Sequence, residues 1–304
     1  IQESSADTIL KASEFVLGLS SYTDGKVLRK CSGILMDWSK GTGTILTTAQ
    51  LICSTSPNVD EWLGGDEYAL KSEVRVQLLH KDDFGKGELM YLDKQYGFAL
   101  FSVLMDEPKR LPRFSNERFA QDVFLLGRYE SNLQIGNGKV LSKGTGQFQR
   151  HHYMYTDGHI SPFGAGGAVI NFEGDVTGMI ATSMHFIPSS TIQKCLEIWR
   201  TYSHVPRIHL GMKLFGIKCL NLVSKEKISR KYNVDGGLIV KELENKLLDI
   251  SKAHLEKGIV PDSGMDVTLG VFNATKCARG RILLRAKLSN DEEIIEEGIH
   301  LISS

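Results

Sequence analysis

The feature that most constrains this chain is a train of short apolar runs, each about a strand in length, separated by turn residues over its first two-thirds. Phe15 to Tyr22 is the first run, and Asp24-Gly25 supplies the left-handed positions of a tight hairpin before Val27 to Trp38. Ser39-Lys40-Gly41 turns the chain again into Thr44 to Ile52, and Val74 to Leu79 opens with the apolar–polar alternation of a half-buried strand. A Gly85/Gly87 turn is expected to lead into Glu88 to Leu92. Tyr96 to Leu104, Val123 to Gly127, His152 to Tyr155, Ala168 to Asn171 and Val176 to Ala181 continue the series. Many short strands joined by Gly-rich turns predict an antiparallel sandwich or barrel.

The pattern changes after Pro188. Ser189 or Ser190 is placed to cap a helix through Ile192, Cys195, Leu196 and Trp199. A linker, Tyr202 to Arg207, follows. Beyond it the sequence predicts a strand (His209 to Leu214), a helix (Lys225 to Tyr232), a strand (Gly237 to Val240) and a helix (Glu242 to Glu256). Val267 to Phe272 and Arg281 to Leu288 close this α+β unit. No internal sequence repeat or low-complexity segment is evident.

Charge excludes some functions. Lys and Arg together number 36, as do Asp and Glu, so there is no electrostatic footprint for nucleic acid or a polybasic membrane patch. No apolar run approaches the roughly 20 residues of a membrane span. The five cysteines (Cys31, Cys53, Cys195, Cys219, Cys277) are odd in number, widely spaced and without a CxxC pair, and are expected to be buried or free thiols. No His/Cys/carboxylate group has metal-site spacing, and no cofactor is expected. The chain starts with Ile1 rather than Met, so it is expected to be a fragment or processed product.

Several segments occur in a telling order. Cys31-Ser32-Gly33-Ile34-Leu35 precedes Thr47-Thr48-Ala49-Gln50-Leu51-Ile52; Gly97-Phe98-Ala99-Leu100-Phe101-Ser102-Val103 comes later. Then follow Thr156-Asp157-Gly158-His159-Ile160-Ser161-Pro162-Phe163-Gly164-Ala165-Gly166-Gly167-Ala168-Val169 and Phe186-Ile187-Pro188-Ser189. Together these resemble the HtrA/Do-like serine proteases, whose blocks read near "TNAHVV", "DLALLKV", "NPGNSGGPLV" and "FAIPS", and most of all the plant set of that family. The resemblance implies a mainly β chain: a trypsin-like double β-barrel over residues 1–204, then a shortened α+β PDZ-like domain over 205–304. An intracellular or organellar address, chloroplast or mitochondrion, is compatible with it.

By the same alignment the family's histidine falls on Gln50, its aspartate on Gly97 and its nucleophile on Ala165. Acyl transfer needs a hydroxyl, an imidazole to take its proton and a carboxylate to orient the imidazole. None of these three side chains supplies its part, and loss of a triad costs on the order of a million-fold in turnover. The oxyanion donors would be the N–H groups of Phe163 and Ala165, flanking Gly164, and Phe stands where the family has Gly. Phe there is expected to strain the loop or let it relax. Replacement groups are Ser161 with His159, and Asp93 four residues before Gly97; the plainer reading makes them exposed loop polar residues. His80 and the His151-His152 pair read as surface histidines. Gly136-x-Gly138 and Gly144-x-Gly146 are expected between strands, not as a phosphate cradle.

In the C-terminal region, Leu210-Gly211-Met212 fits the family's carboxylate-binding loop, and Ile228 to Val240 resembles the segment that follows it. The middle of the usual PDZ sequence is missing, leaving exposed edges. The expected function is a catalytically inactive protease homologue that binds protein or peptide ligands, as a homo-oligomer or with related proteases, the family's form being a trimer. The alternatives are residual endopeptidase activity through a non-standard nucleophile, and a degenerate product without a role.

Overall fold

The computed structural model describes residues 3–54, 68–78, 84–94, 96–141, 153–202, 205, 207–209, 213–216, 222–234, 238–242, 264–273 and 278–289. The chain divides into two units, Ile1–Gln193 and Lys194–Ser304.

The larger unit opens with a helix, α1 (Glu3–Ser13), that the sequence reading did not anticipate. Six strands follow: β1 (Val16–Thr23), β2 (Lys26–Ser39), β3 (Thr42–Thr48), β4 (Glu73–Gln77), β5 (Phe84–Asp93) and β6 (Phe98–Leu104). They close into a barrel in the order β1-β2-β3-β6-β5-β4. A second six form another: β7 (Asp122–Tyr129), β8 (Asn132–Leu141), β9 (Met154–Thr156), β10 (Ala168–Ile170), β11 (Val176–Ile180) and β12 (His185–Pro188). Its order, β10-β11-β12-β9-β8-β7, has the same neighbour relations as the first barrel. The expected mainly β double barrel is therefore present. The repeat lies in connectivity alone, because a closed sheet fixes alternation and turn positions rather than residue identities.

Turn chemistry explains the hairpins. Asp24 (φ 51°) and Gly25 (φ 74°) form the β1–β2 turn, and Lys40 (φ 50°) and Gly41 (φ 81°) the β2–β3 turn. Two successive left-handed residues match the twist of the flanking strands. The interiors are apolar: Leu17, Ile34, Ile45, Val76 and Phe101 in the first barrel, and Val123, Leu125, Val140, Val169, Ile180 and Phe186 in the second.

Three expectations are corrected. Gly85 and Gly87 do not turn the chain but lie within β5, opposite Val76 and Val74. A Cβ on Gly85 would sit 2.4 Å from Val103 Cγ2, so packing inside the barrel, not turning, requires glycine. Gly136 and Gly138 likewise lie in β8, a strand missed in the sequence; a Cβ on Gly136 would meet the His159 carbonyl oxygen at 2.3 Å. The run Thr44 to Ile52 ends as a strand at Thr48, where Ala49–Ile52 winds into a 3-10 turn capped by the Thr48 hydroxyl.

The strand series passes into α2 (Ser189–Tyr202). Ser189 and Ser190 do stand at its start, and their hydroxyls donate to the Ser115 carbonyl and to Glu117 Oε1. In the smaller unit, β13 (Arg207–His209), β17 (Ala278–Ser289) and β16 (Gly264–Asn273) form an antiparallel sheet in the order β13-β17-β16. A second pair joins β14 (Lys213–Gly216) to β15 (Leu238–Glu242), and α3 (Leu222–Tyr232) connects them in sequence. The predicted strand His209 to Leu214 is thus two strands, and Glu242 ends β15 rather than opening a helix. The rest of that expected helix, 243–256, and Leu210-Gly211-Met212 lie outside the described residues. So do His80, His151, His152, Gly144, Gly146, Cys219 and Cys277. Cys31, Cys53 and Cys195 are buried, as expected.

Gly136→Ala is expected to destabilise the protein by about 1–3 kcal/mol, since the His159 main chain must move to admit the methyl group. Urea unfolding of the two proteins checks this; equal midpoints would show that β8 is not packed against residue 159 as described.

Candidate functional site

Two main-chain hydrogen bonds and one from a serine hydroxyl bring Gln50, Gly97 and Ala165 to one seam between the barrels. The first begins at Asp93, which is buried at the end of β5. Its Oδ1 accepts the Tyr96 N–H at 2.9 Å, and its Oδ2 accepts the Tyr91 hydroxyl at 2.8 Å. The Gly97 N–H donates to the Asp93 carbonyl (2.8 Å), closing a turn that Gly97 completes with φ 74°. The Gly97 carbonyl then accepts the Ala49 N–H at 2.9 Å, beside Gln50. Asp93 is therefore not the exposed loop residue expected. It shapes the turn, and both its oxygens are engaged.

Gln50 sits half-buried in the 3-10 turn that ends β3, its N–H on Thr48 Oγ1 (3.3 Å) and its carbonyl accepting from the Cys53 N–H (3.1 Å). The second and third contacts come from the loop 161–167. The Ala165 carbonyl accepts the Ser32 N–H at 2.8 Å, and the Phe163 carbonyl accepts the Ser32 hydroxyl at 2.7 Å. Gly166 (φ 84°) lies so close to β2 and β3 that a Cβ would be 2.2 Å from the Ser32 carbonyl oxygen and 3.0 Å from the Thr48 nitrogen.

The same loop turns its donors inward. Pro162–Gly164 form a 3-10 turn. The Gly164 N–H donates to the Ser161 carbonyl (2.8 Å), the Ala165 N–H to the Pro162 carbonyl (3.3 Å), and the Gly167 N–H to the Gly164 carbonyl (2.9 Å). The Gly166 N–H reaches the Ile180 carbonyl at 2.7 Å. An oxyanion hole needs N–H groups aimed at open space where charge develops. Here the Ala165 donor is spent inside the loop. Phe163 has relaxed out of the left-handed region, and its ring, 39% exposed, rests against Tyr129 with centroids 4.2 Å apart.

The replacement groups do not assemble. The Ser161 hydroxyl is shut off from solvent and makes no hydrogen bond among the described residues, whereas His159 is exposed; Ile160 between them is anchored in the second barrel's core. The Ser161 hydroxyl is thus enclosed, contrary to the exposed reading, and among the described residues no imidazole is hydrogen-bonded to it. Cys31 adjoins Ser32 at this seam. Burial pushes its thiol up to about 12, so it stays protonated at neutral pH. His185, in β12, is lowered by burial, and its ring contacts Thr182 Oγ1 and the edge of Tyr155. No group of three or more metal-ligating side chains occurs among the described residues. No helix there is long and apolar enough to cross a membrane.

Arg128 was missed by motif reasoning. Its side chain is nine-tenths buried and donates to the carbonyls of Ser13 (3.0 Å), Val16 (2.9 Å) and Ser131 (2.7 Å), tying the C-terminus of α1 to both barrels. Ser13 ends the helix, where a cation is favoured. An Arg within an apolar strand run was the available signal.

A protein-family profile described as trypsin-like peptidase domain matches residues 31–179. Curated relatives described as serine protease HtrA-like, from Staphylococcus aureus strains bovine RF122 and USA300, are 28% identical over 113 residues. The match covers 34% of this chain and 15% of each relative, so the chain spans a small part of their length. Among solved structures, the serine endoprotease from Yersinia pestis is similar with a TM-score of 0.59 and 15% identity, over 95% of this chain and 98% of that one. The HtrA-type protease AlgW with decapeptide gives 0.56 and 12%, over 93% and 98%. The fold is that of the trypsin-like double barrel, and the sequence similarity lies with HtrA-type proteases.

Ser32→Ala is expected to cost about 1–3 kcal/mol, because it strips a hydrogen bond from the Phe163 carbonyl and another from the Arg128 N–H. Chemical denaturation measures it; a change below a few tenths of a kcal/mol would show that the hydroxyl does not join the barrels.

Proposed function

We propose that this chain is an HtrA-type protease homologue that has kept the two-barrel scaffold and lost peptide-bond cleavage, acting as a protein-binding or scaffold subunit. One observation carries the reading: the N–H of residue 165, an Ala that the sequence resemblance matches to the family's nucleophile, is bonded to the Pro162 carbonyl instead of facing a substrate. Gln50 cannot exchange a proton near neutral pH, and Gly97 offers no carboxylate. Yet the main chain at all three positions is held at one seam, as a scaffold derived from a protease would hold it.

Binding is supported by one neighbour in fold. AlgW, a structurally similar protein, was solved with a decapeptide. We read residues 1–204 as the protease-like part and 205–304 as a shortened PDZ-like part. Within the latter, Leu210, Gly211 and Met212 are the candidate peptide-binding residues. Its ligands are proteins or peptides, with assembly into homo-oligomers or with related proteases.

The purified protein should neither cleave an unfolded casein substrate nor be labelled by a fluorophosphonate probe. The triple variant Gln50→His, Gly97→Asp, Ala165→Ser should stay unlabelled while Phe163 keeps the loop closed. Adding Phe163→Gly should bring labelling to at least about tenfold above background, since oxyanion donors alone carry roughly a hundred- to a thousand-fold in turnover. Labelling of the unmodified protein, abolished by Ser161→Ala, would overturn the reading in favour of a non-standard endopeptidase.

A further inference from the structure

A cleft of about 300 Å³ lies on the outer side of β1, where the β7–β8 hairpin overhangs it. It is separate from the seam at Gln50, Gly97 and Ala165. Its walls include Ser20, Tyr22, Lys30, Phe84, Arg128 and Tyr129. The overhang requires Gly18, because a Cβ there would stand 2.8 Å from the Glu130 carbonyl oxygen. Glu130 itself is a left-handed residue (φ 55°) at the tip of the hairpin.

Charge around the cleft does not balance. Lys30 pairs with Glu130 at 2.7 Å and lies over the Tyr129 ring. Arg75 pairs with Glu73 at 2.6 Å and lies over the Tyr22 ring. Among the described residues the Arg128 guanidinium has only carbonyl partners, Ser13, Val16 and Ser131, and forms no ion pair. A buried guanidinium without a carboxylate is costly and favours any anion that approaches it. The Lys30–Glu130 pair is partly solvated, with Glu130 more than half exposed, so a competing carboxylate can take Lys30 from it at little cost.

We propose that this cleft binds an extended acidic peptide, seating an Asp or Glu carboxylate beside Lys30 and Arg128 with its flanking side chains on Tyr22, Phe84 and Tyr129. The proposal rests on the protein-binding reading above and names its ligand chemistry. Both barrels are closed, so the cleft has no free strand edge for backbone pairing. Side chains must therefore do the recognising, and aromatic surface with a net cation selects an apolar residue next to a carboxylate. The volume is at the low end of ligand pockets, enough for one or two side chains and not for a folded domain.

The test uses the full chain and two fluorescein-labelled peptides, identical except for a central Leu-Glu-Phe or Leu-Gln-Phe. Fluorescence anisotropy at low salt should give about tenfold tighter binding of the Glu peptide, with the difference shrinking as salt rises. Lys30→Glu should remove the preference, and Glu130→Gln should increase it by freeing Lys30. Both positions are partly exposed, and circular dichroism verifies that the variants stay folded. Equal affinity for the two peptides, no binding of either, or a preference unchanged in Lys30→Glu would overturn the proposal. None of these results bears on fluorophosphonate labelling, which alone decides whether the protein cuts.

Discussion

The two barrels are joined through Ser32, a fully buried residue in the middle of β2. Its hydroxyl accepts the Arg128 N–H from the second barrel at 2.8 Å and donates to the Phe163 carbonyl; its own N–H holds the Ala165 carbonyl, and its carbonyl accepts the Thr47 hydroxyl at 2.6 Å. Such a junction works only if main chain meets main chain. Gly166 and Gly127 make that approach: a Cβ on Gly166 would be 2.2 Å from the Ser32 carbonyl oxygen, and one on Gly127 would be 3.0 Å from the Ser32 hydroxyl oxygen. Polar main-chain groups brought this deep must be paired, and a small hydroxyl that both donates and accepts does so without needing room.

That constraint accounts for what the loop 161–167 retains and what it lacks. Its carbonyls at 163 and 165 are committed to Ser32, which fixes the loop against β2 whether or not the chain performs chemistry. Its N–H groups are then free to face a substrate or to close on the loop itself. With Phe at 163 the backbone stays in the right-handed region, the 3-10 turn forms, and the donors close inward. The architecture of a catalytic seam and its chemistry are thus separable: glycine packing and one serine maintain the first, while the second depends on a few side chains and one backbone conformation.

Much of the first barrel was legible in the sequence because its signals are local. Asp24-Gly25 and Lys40-Gly41 can only be turns between their flanking runs, and the structure has them there. The same rule misread Gly85, Gly87, Gly136 and Gly138, which lie in strands. A glycine that frees a turn and one that makes room for a distant neighbour look alike in sequence; Val103 and the His159 carbonyl, which explain two of these, are remote along the chain. Asp93 shows the converse case. Its position suggested a surface or substitute acid, but only the fold shows both oxygens occupied by Tyr91 and Tyr96.

By itself the sequence determined the strand-rich class, the hairpin turns and the side-chain inventory at positions 50, 97 and 165, since each depends on residue type and near-neighbour pattern. The tertiary structure alone decided that those three positions share a seam, that the Ala165 N–H is turned to Pro162, that the Ser161 hydroxyl is enclosed, and that Arg128 donates to carbonyls rather than to a carboxylate among the described residues. The physical reason is distance along the chain. The seam is set by groups a hundred or more residues apart, such as Ser32 and Phe163, which meet only once both barrels have closed, and even the local turn from Pro162 to Ala165 is held against β2 by them.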